Sequence, residues 1–236
     1  MTPSDYCTRV GLEVPTAAVD AARGGLHRAL DEAKSASVPS TPTSLARLYE
    51  FKVPKLSPDG SCSVLDELEE KPYDLAARLG GRSLASTTRL MTLDMLVAHC
   101  QRALHAGWVG FYQARETPSG AALVKLAYRG APSRAEFPLT PEFAIKSNNS
   151  TVAMSGRANV INDVQAYRAS GGAYYECDPT VKAEACLPII SESGVVGLID
   201  VEHTVAQWFS EQRLALLVAL ALELPTLLPS GGLTAS

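Results

Sequence analysis

Residues 171–203 read GGAYYECDPTVKAEACLPIISESGVVGLIDVEH. This stretch holds a glycine-rich start, a Cys177-Asp178 pair and two short apolar runs that each carry carboxylates. The first run, Val181 to Ile190, has strand-like composition and is expected to end near Pro188. The turn residues Ser191-Glu192-Ser193-Gly194 follow, and then a second run, Val195 to Glu202, richer in β-branched residues. Two such runs joined by a few turn residues read as a β-hairpin. Side chains two apart on a strand share a face. Glu184 and Cys186 are therefore expected to point one way together, as are Asp200 and Glu202. A carboxylate on an otherwise apolar strand is costly to bury without a partner, so one face of the hairpin is expected to line a polar pocket, with Cys177-Asp178 as its lid.

Working outward, the chain has 236 residues with 46% hydrophobic and 19% charged content, ordinary for a globular protein. A net charge of -4 and the lack of any Lys/Arg run argue against nucleic-acid binding by charge. The start, Met1-Thr2-Pro3-Ser4-Asp5-Tyr6, has neither the charged beginning nor the apolar centre of a secretory signal. The most apolar run, Leu214 to Leu224, is too short to span a bilayer. Five scattered cysteines (Cys7, Cys62, Cys100, Cys177, Cys186) fit a reducing, cytoplasmic setting better than a disulfide framework. The cysteines and the four histidines show no metal-ligand spacing, so neither a metal nor another cofactor is expected.

Along the chain, residues 1–14 read as poorly structured, and a helical pattern runs from Pro15-Thr16 to Ala33. SASVPSTPTS, 35–44, reads as a linker. Tyr49 to Val53 is a short strand candidate, and Val64 to Leu79 a helix ending at Gly80-Gly81. Leu90, Leu93, Val97, Cys100 and Leu104 then form one apolar stripe, with Ser86 as N-cap and Gly107 as C-cap. Trp108 to Tyr112 and Leu123 to Tyr128 pair across the turn Thr117 to Gly120. A helix is expected in the second half of Phe143 to Met154, a short strand over Ala158 to Ile161, and a last helix from Ser210 to Leu224, stopped by Pro225. This order predicts an α+β fold in which helices stack on one face of an antiparallel sheet and loops cover a ligand pocket on the other. Residues 86–228 form the main domain, 1–85 a dispensable extension and 229–236 a disordered tail. The apolar faces of the helices Ser86 to Ala106 and Ser210 to Leu224 suggest a homodimer.

GWVGFY after the first long helix of that domain and GVVGLIDVEH before the last resemble a GAF domain, and more narrowly the GAF family of free methionine-(R)-sulfoxide reductases. The motifs that carry the resemblance are Trp108 to Tyr112, Asp163-Val164, Cys177-Asp178 with Glu184 seven residues after the cysteine, and Gly197 to Glu202. The resemblance implies that Cys177 is the catalytic thiol, that Glu184, Asp200 and Glu202 bind substrate, and that a thiol reductant such as thioredoxin regenerates the enzyme. Two departures stand out. The family's recycling cysteines fall on Ala131-Pro132-Ser133-Arg134 and on Asn148-Asn149-Ser150, where this chain has none. Cys186, absent from the usual pattern, is then the nearest spare thiol.

Two functions follow as expectations. In one, Cys177 attacks the sulfoxide sulfur and becomes a sulfenic acid, which Cys186 resolves. Glu184, Asp200 and Glu202 share a pocket with raised proton affinity that the substrate ammonium relieves, and Trp108 and Tyr112 cradle the methylthio group. In the other, the chain is a non-catalytic sensor module: Cys177 is a loop thiol without a task, the carboxylates are solvated edge groups, and Trp108 and Tyr112 are core.

Overall fold

The computed structural model describes residues 1–38, 41–57, 63–172, 174 and 178–233. Its centre is a six-stranded antiparallel sheet of order β7-β6-β5-β10-β9-β8. Here β5 is Trp108–Thr117, β6 Gly120–Arg129, β7 Glu136–Pro138, β8 Asn159–Ile161, β9 Ala183–Ser191 and β10 Gly194–His203. Four shorter strands precede them: β1 (Glu50–Phe51) pairs with β4 (Tyr73–Asp74), and β2 (Pro54–Leu56) with β3 (Ser63–Leu68).

The expected hairpin is β9–β10, turning at Glu192-Ser193 with Gly194 at φ 119°, a conformation glycine adopts without a Cβ penalty. The strand does not stop at Pro188. It runs on to Ser191, because β8 pairs only as far as Cys186 and leaves this stretch of β9 as an edge, where proline is tolerated. The Pro188 carbonyl there accepts the Tyr6 hydroxyl at 2.7 Å.

Helices line one face of the sheet. The long α5 (Leu84–Leu104) starts at Ser83, three residues before the expected cap. Ser83 and Ser86 form a reciprocal capping box there, so both serines serve the one terminus. It ends at His105 in the left-handed conformation, not at Gly107. Beside it lies α9 (Glu211–Glu223), whose Ala215 to Ala221 are all buried. Alternation along β9 and β10 sends Ala185, Leu187, Ile199 and Val201 into the core with these helices.

The first third of the chain departs most from expectation. Residues 3–10 are not unstructured: they form α1 (Pro3–Val10), with a Thr2/Asp5 capping box and Pro3 at its first position. The helix α2 (Thr16–Ser35) lies across α5 and α9, and Val19, Leu26 and Leu30 are buried in the main core. Arg23 and His27 both reach Glu223 of α9. The apolar faces left over for a second copy in the sequence are thus covered by the chain's own α2. A third helix, α3 (Pro42–Tyr49), ends in Tyr49, whose hydroxyl bonds Ser86 and Thr87 of α5. Val64 to Leu79 is not one helix: β3, β4 and the short α4 (Leu75–Arg78) replace it. Pro72 interrupts the run, and Asp74 caps only the short α4.

At the other end, residues 229–233 fold back beside β5. Gln113 Nε2 donates to the Pro229 carbonyl, Arg115 Nη1 to that of Ser230, and the Leu233 amide to that of Ala114. Among the described residues no helix is long and apolar enough to cross a membrane.

The opposite face of the sheet is covered by the segment between β6 and β9. It carries β7, α6 (Pro141–Ala144), α7 (Asn148–Ser155), β8 and α8 (Val164–Ala169).

Candidate functional site

The hairpin register builds the site. Asp200 lies directly opposite Cys186, and Glu202 opposite Glu184. The expected face-sharing of these four residues therefore holds, and across the next pairing Trp108 and Gly110 of β5 meet Glu202 and Asp200. Glu184, Cys186 and Asp200 are buried, while Glu202 is half-buried.

Asn148 and Asn149 clamp this row from above. Ser147 caps α7 by accepting the Ser150 amide, which aims the helix start at the sheet. Asn148 Nδ2 donates to Glu184 Oε1 at 2.6 Å and to Cys186 Sγ at 3.2 Å. Asn149 Nδ2 donates to Asp200 Oδ2 at 3.0 Å, and Asn159 Nδ2 of β8 holds the Asn148 carbonyl oxygen at 2.8 Å. The Cys186 thiol faces three acceptors: Asn149 Oδ1 at 3.0 Å, Glu184 Oε1 at 3.1 Å and Asp200 Oδ1 at 3.6 Å.

The electrostatics arise from that crowding. Burial, then repulsion by Glu184, pushes the Asp200 carboxyl up to about 8, although the Asn149 amide, the Cys186 thiol and Lys125 pull it back. Burial and the neighbouring Asp200, Glu184 and Asp178 likewise raise Glu202 well above the carboxylate range. Burial, then Asp200 and Glu184, raise Cys186 far above an ordinary thiol. Such a thiol stays protonated at neutral pH and is a poor nucleophile. The Tyr174 phenol closes the site by hydrogen-bonding Glu184, and burial beside these acids raises its proton affinity too. Phe137, Ser147, Asn148, Asn149, Tyr174, Asp178, Val181, Glu184 and Glu202 line a cavity of about 40 Å³, room for about three waters. A groove of about 340 Å³ on the β7 edge, lined by Tyr73, Arg78 and Glu136 among others, does not include these acids or the thiol.

Glu184, Cys186 and Asp200 also have ligand atoms within 4.8 Å of one another, a spacing a metal ion tolerates. Asn148 Nδ2 and Asn149 Nδ2 already donate to these three residues, and the Cys186 thiol donates to Glu184 and Asn149. The set is therefore built as a hydrogen-bonded acid cluster.

The other expected residues divide. Asp178 lines the cavity, but its Oδ1 accepts the Thr180 amide and hydroxyl at 2.8 and 2.7 Å, which makes it chiefly a turn cap. Cys177 lies outside the described residues. Trp108 and Tyr112 are buried with ring centroids 6.3 Å apart. The Trp108 indole lies flat on Gly110 and Gly130: a Cβ on Gly110 would stand 2.2 Å from its ring, and one on Gly130 2.5 Å. Gly110→Ala should therefore evict the indole and cost about 1–3 kcal/mol. Near-ultraviolet dichroism and thermal unfolding check this, and an unchanged Trp108 signature would contradict it.

Sequence reasoning missed Asn148 and Asn149 as clamps, placing them where the resemblance implies a recycling cysteine. It also missed Lys125, although a lone charge within Leu123-Val124-Lys125-Leu126-Ala127 is the same signal that singled out the carboxylates. Lys125 is fully buried. Its Nζ donates to the Ser133 carbonyl and hydroxyl oxygens at 2.7 and 2.8 Å, and Ser133 in turn hydrogen-bonds the Tyr112 phenol.

Residues 88–224, more than half of the chain, match the family model described as "GAF domain". The type II free methionine-R-sulfoxide reductase of Thermoplasma acidophilum superposes with a TM-score of 0.54 at 18% identity, over 64% of this chain and 99% of that one. The substrate complex of the free methionine-R-sulfoxide reductase of Neisseria meningitidis gives 0.47 at 19%, over 63% and 81%. A putative GAF sensor protein from Burkholderia vietnamiensis gives 0.45 at 22%, over 66% and 85%. No curated protein sequence matches the chain.

Proposed function

The chain belongs to the GAF domain family, and from that premise we propose that its pocket takes a small ammonium-bearing molecule, free L-methionine-(R)-sulfoxide, and reduces it with Cys177. The observation that carries the proposal is the row Glu184, Cys186, Asp200 and Glu202. Three carboxylates stand in one row, with Glu184 and Glu202 lining the small cavity and Asp200 buried beside them, and crowding raises the proton affinity of Asp200 and Glu202, which an incoming cation would relieve. An ammonium at this row relieves the repulsion, and a proton retained on Asp200 or Glu202 is available to the sulfoxide oxygen as it leaves. In the chemical step the Cys177 thiol and the sulfoxide give a thioether and a Cys177 sulfenic acid. Cys186, a poor nucleophile while protonated, passes its proton by way of Glu184, 3.1 Å away, to the departing hydroxide as it condenses with the sulfenic acid, so that water leaves and a disulfide remains for an external dithiol of the thioredoxin type to reduce. Such a bridge needs the two Cα atoms about 4.4–6.8 Å apart.

A second reading, a ligand sensor without chemistry, draws on the Asn148/Asn149 clamp. The position where the resemblance implies a recycling cysteine carries Asn148-Asn149, which hold the acid row, while burial, Asp200 and Glu184 favour the protonated Cys186 thiol. NADPH consumption with thioredoxin, thioredoxin reductase and the free (R)-sulfoxide separates the two. The reductase predicts turnover in the wild type and none in Cys177→Ser. Saturable binding of the sulfoxide with no turnover in the wild type selects the sensor.

A further inference from the structure

The pocket face of the sheet has a second compartment beside the acid row. Trp108 of β5, Tyr128 of β6 and Phe51 of the first third of the chain wall it, and the Lys125 side chain fills it. The Lys125 Nζ lies 4.1 Å from the Tyr128 ring centroid, 5.0 Å from that of Phe51 and 5.9 Å from that of Trp108. Trp108 and Tyr128 stack with centroids 6.1 Å apart, and Phe51 meets Tyr128 edge-on at 5.6 Å. Three aromatic faces turned toward one ammonium form a cation–π cage. Gly110 and Gly130 allow it, since a side chain at either would strike Trp108. The bulge between Phe111 and Tyr112, where β5 meets β6, sets Lys125 opposite Tyr112.

We propose that Lys125 is the specificity-determining residue of this pocket: a built-in alkylammonium that occupies the aromatic compartment and confines an external ligand to the carboxylate compartment. Three observations carry this. The amine is fully buried yet has the two Ser133 oxygens as fixed acceptors, as a bound ammonium ligand would. The cage is completed by Phe51, from outside the region that matches the GAF model, so residues of the first third help to shut it. The compartment adjoins the acid row: burial pushes the Lys125 amine well below the ordinary lysine range, and Asp200 and Glu202 pull it back toward the charged form. The wild-type ligand is then a short ammonium compound whose apolar arm does not pass Trp108 to reach Tyr128 and Phe51. This bears on specificity alone and does not depend on the reductase chemistry.

The experiment empties the cage and offers its contents back. K125A removes the equivalent of an n-propylammonium ion. The wild type, K125A and the length-matched, uncharged K125M are titrated with methyl-, n-propyl- and n-hexylammonium. Thermal unfolding and the Trp108 indole N–H resonance serve as readouts. K125A is expected to bind n-propylammonium about tenfold or more tighter than the wild type does, with the largest rise in unfolding temperature at the propyl length. K125M, whose cage is still full, should behave as the wild type. If K125A is unfolded alone, n-propylammonium should restore its folding. The proposal is overturned if the wild type or K125M binds n-propylammonium as tightly as K125A, if the response shows no dependence on chain length, or if K125A stays unfolded with the amine present. Absence of sulfoxide turnover would sink the reductase and leave each of these outcomes decisive.

Discussion

Asp200→Asn should make the protein more stable in mild alkali and flatten its stability against pH. The Asp200 carboxyl titrates near 8 in the folded chain and near 3.9 when unfolded. Between those values the folded state holds a proton that the unfolded state has lost. Unfolding then releases a proton, so stability is fully present below about pH 4 and declines as pH rises through about 8. The asparagine carries no such proton and keeps an oxygen for the Asn149 amide. The groups that face this position are Glu184, Cys186, Glu202, Lys125 and Asn149. Removing one negative charge from among them should gain on the order of 2–5 kcal/mol at pH 9 and little at pH 4. Thermal unfolding of both proteins at a series of pH values reads this directly. Parallel curves for the two would show that Asp200 is not the strained carboxylate. Function should move the other way, since the variant gives an ammonium one partner fewer.

Deleting residues 1–35 should leave a chain that does not fold. Tyr6, Val10, Val19, Leu26 and Leu30 sit in the main core, and each large apolar side chain contributes about 1.5–3 kcal/mol by burial. Their sum, about 7–15 kcal/mol as an upper bound, matches the whole stability of an ordinary domain. The deletion also uncovers α5 and α9, removes the Arg23–Glu223 pair and removes the Val10 carbonyl that accepts the Ala158 N–H hydrogen bond. The expected result is insoluble protein without a cooperative transition. A soluble fragment that unfolds cooperatively would mean that α1 and α2 are accessory after all.

The contrast between the two ends of the chain shows what a sequence makes legible. The β9–β10 hairpin is readable because period-two alternation and the Ser191 to Gly194 turn agree, and because Glu184, Cys186, Asp200 and Glu202 break that alternation on one side only. The helix 84–104 is readable from its stripe, with its start misplaced by three residues because Ser83 and Ser86 are both plausible caps. The docking of α2 is not readable: an apolar stripe shows that a helix is covered, not by what. Here the chain's own Val19, Leu26 and Leu30 fill the place assigned to a second copy. The α1 helix is written in Thr2-Pro3-Ser4-Asp5, a cap followed by proline, but a chain terminus argues for fraying unless something ties it down. Asn148 and Asn149 act across 36 and 51 residues, on Glu184 and Asp200, a distance over which local pattern carries no information. Lys125 is findable, since a charge in a buried strand is as costly as a carboxylate there.

The most direct test of the central claim is an anaerobic single turnover. Fully reduced protein is mixed with one equivalent of free L-methionine-(R)-sulfoxide, and the products are followed by mass spectrometry. The expected products are one equivalent of methionine and a Cys177–Cys186 disulfide in the wild type, and methionine with a sulfenic acid at Cys177 in Cys186→Ser. Sulfoxide recovered intact from the wild type, with both thiols still reduced, would contradict the claim.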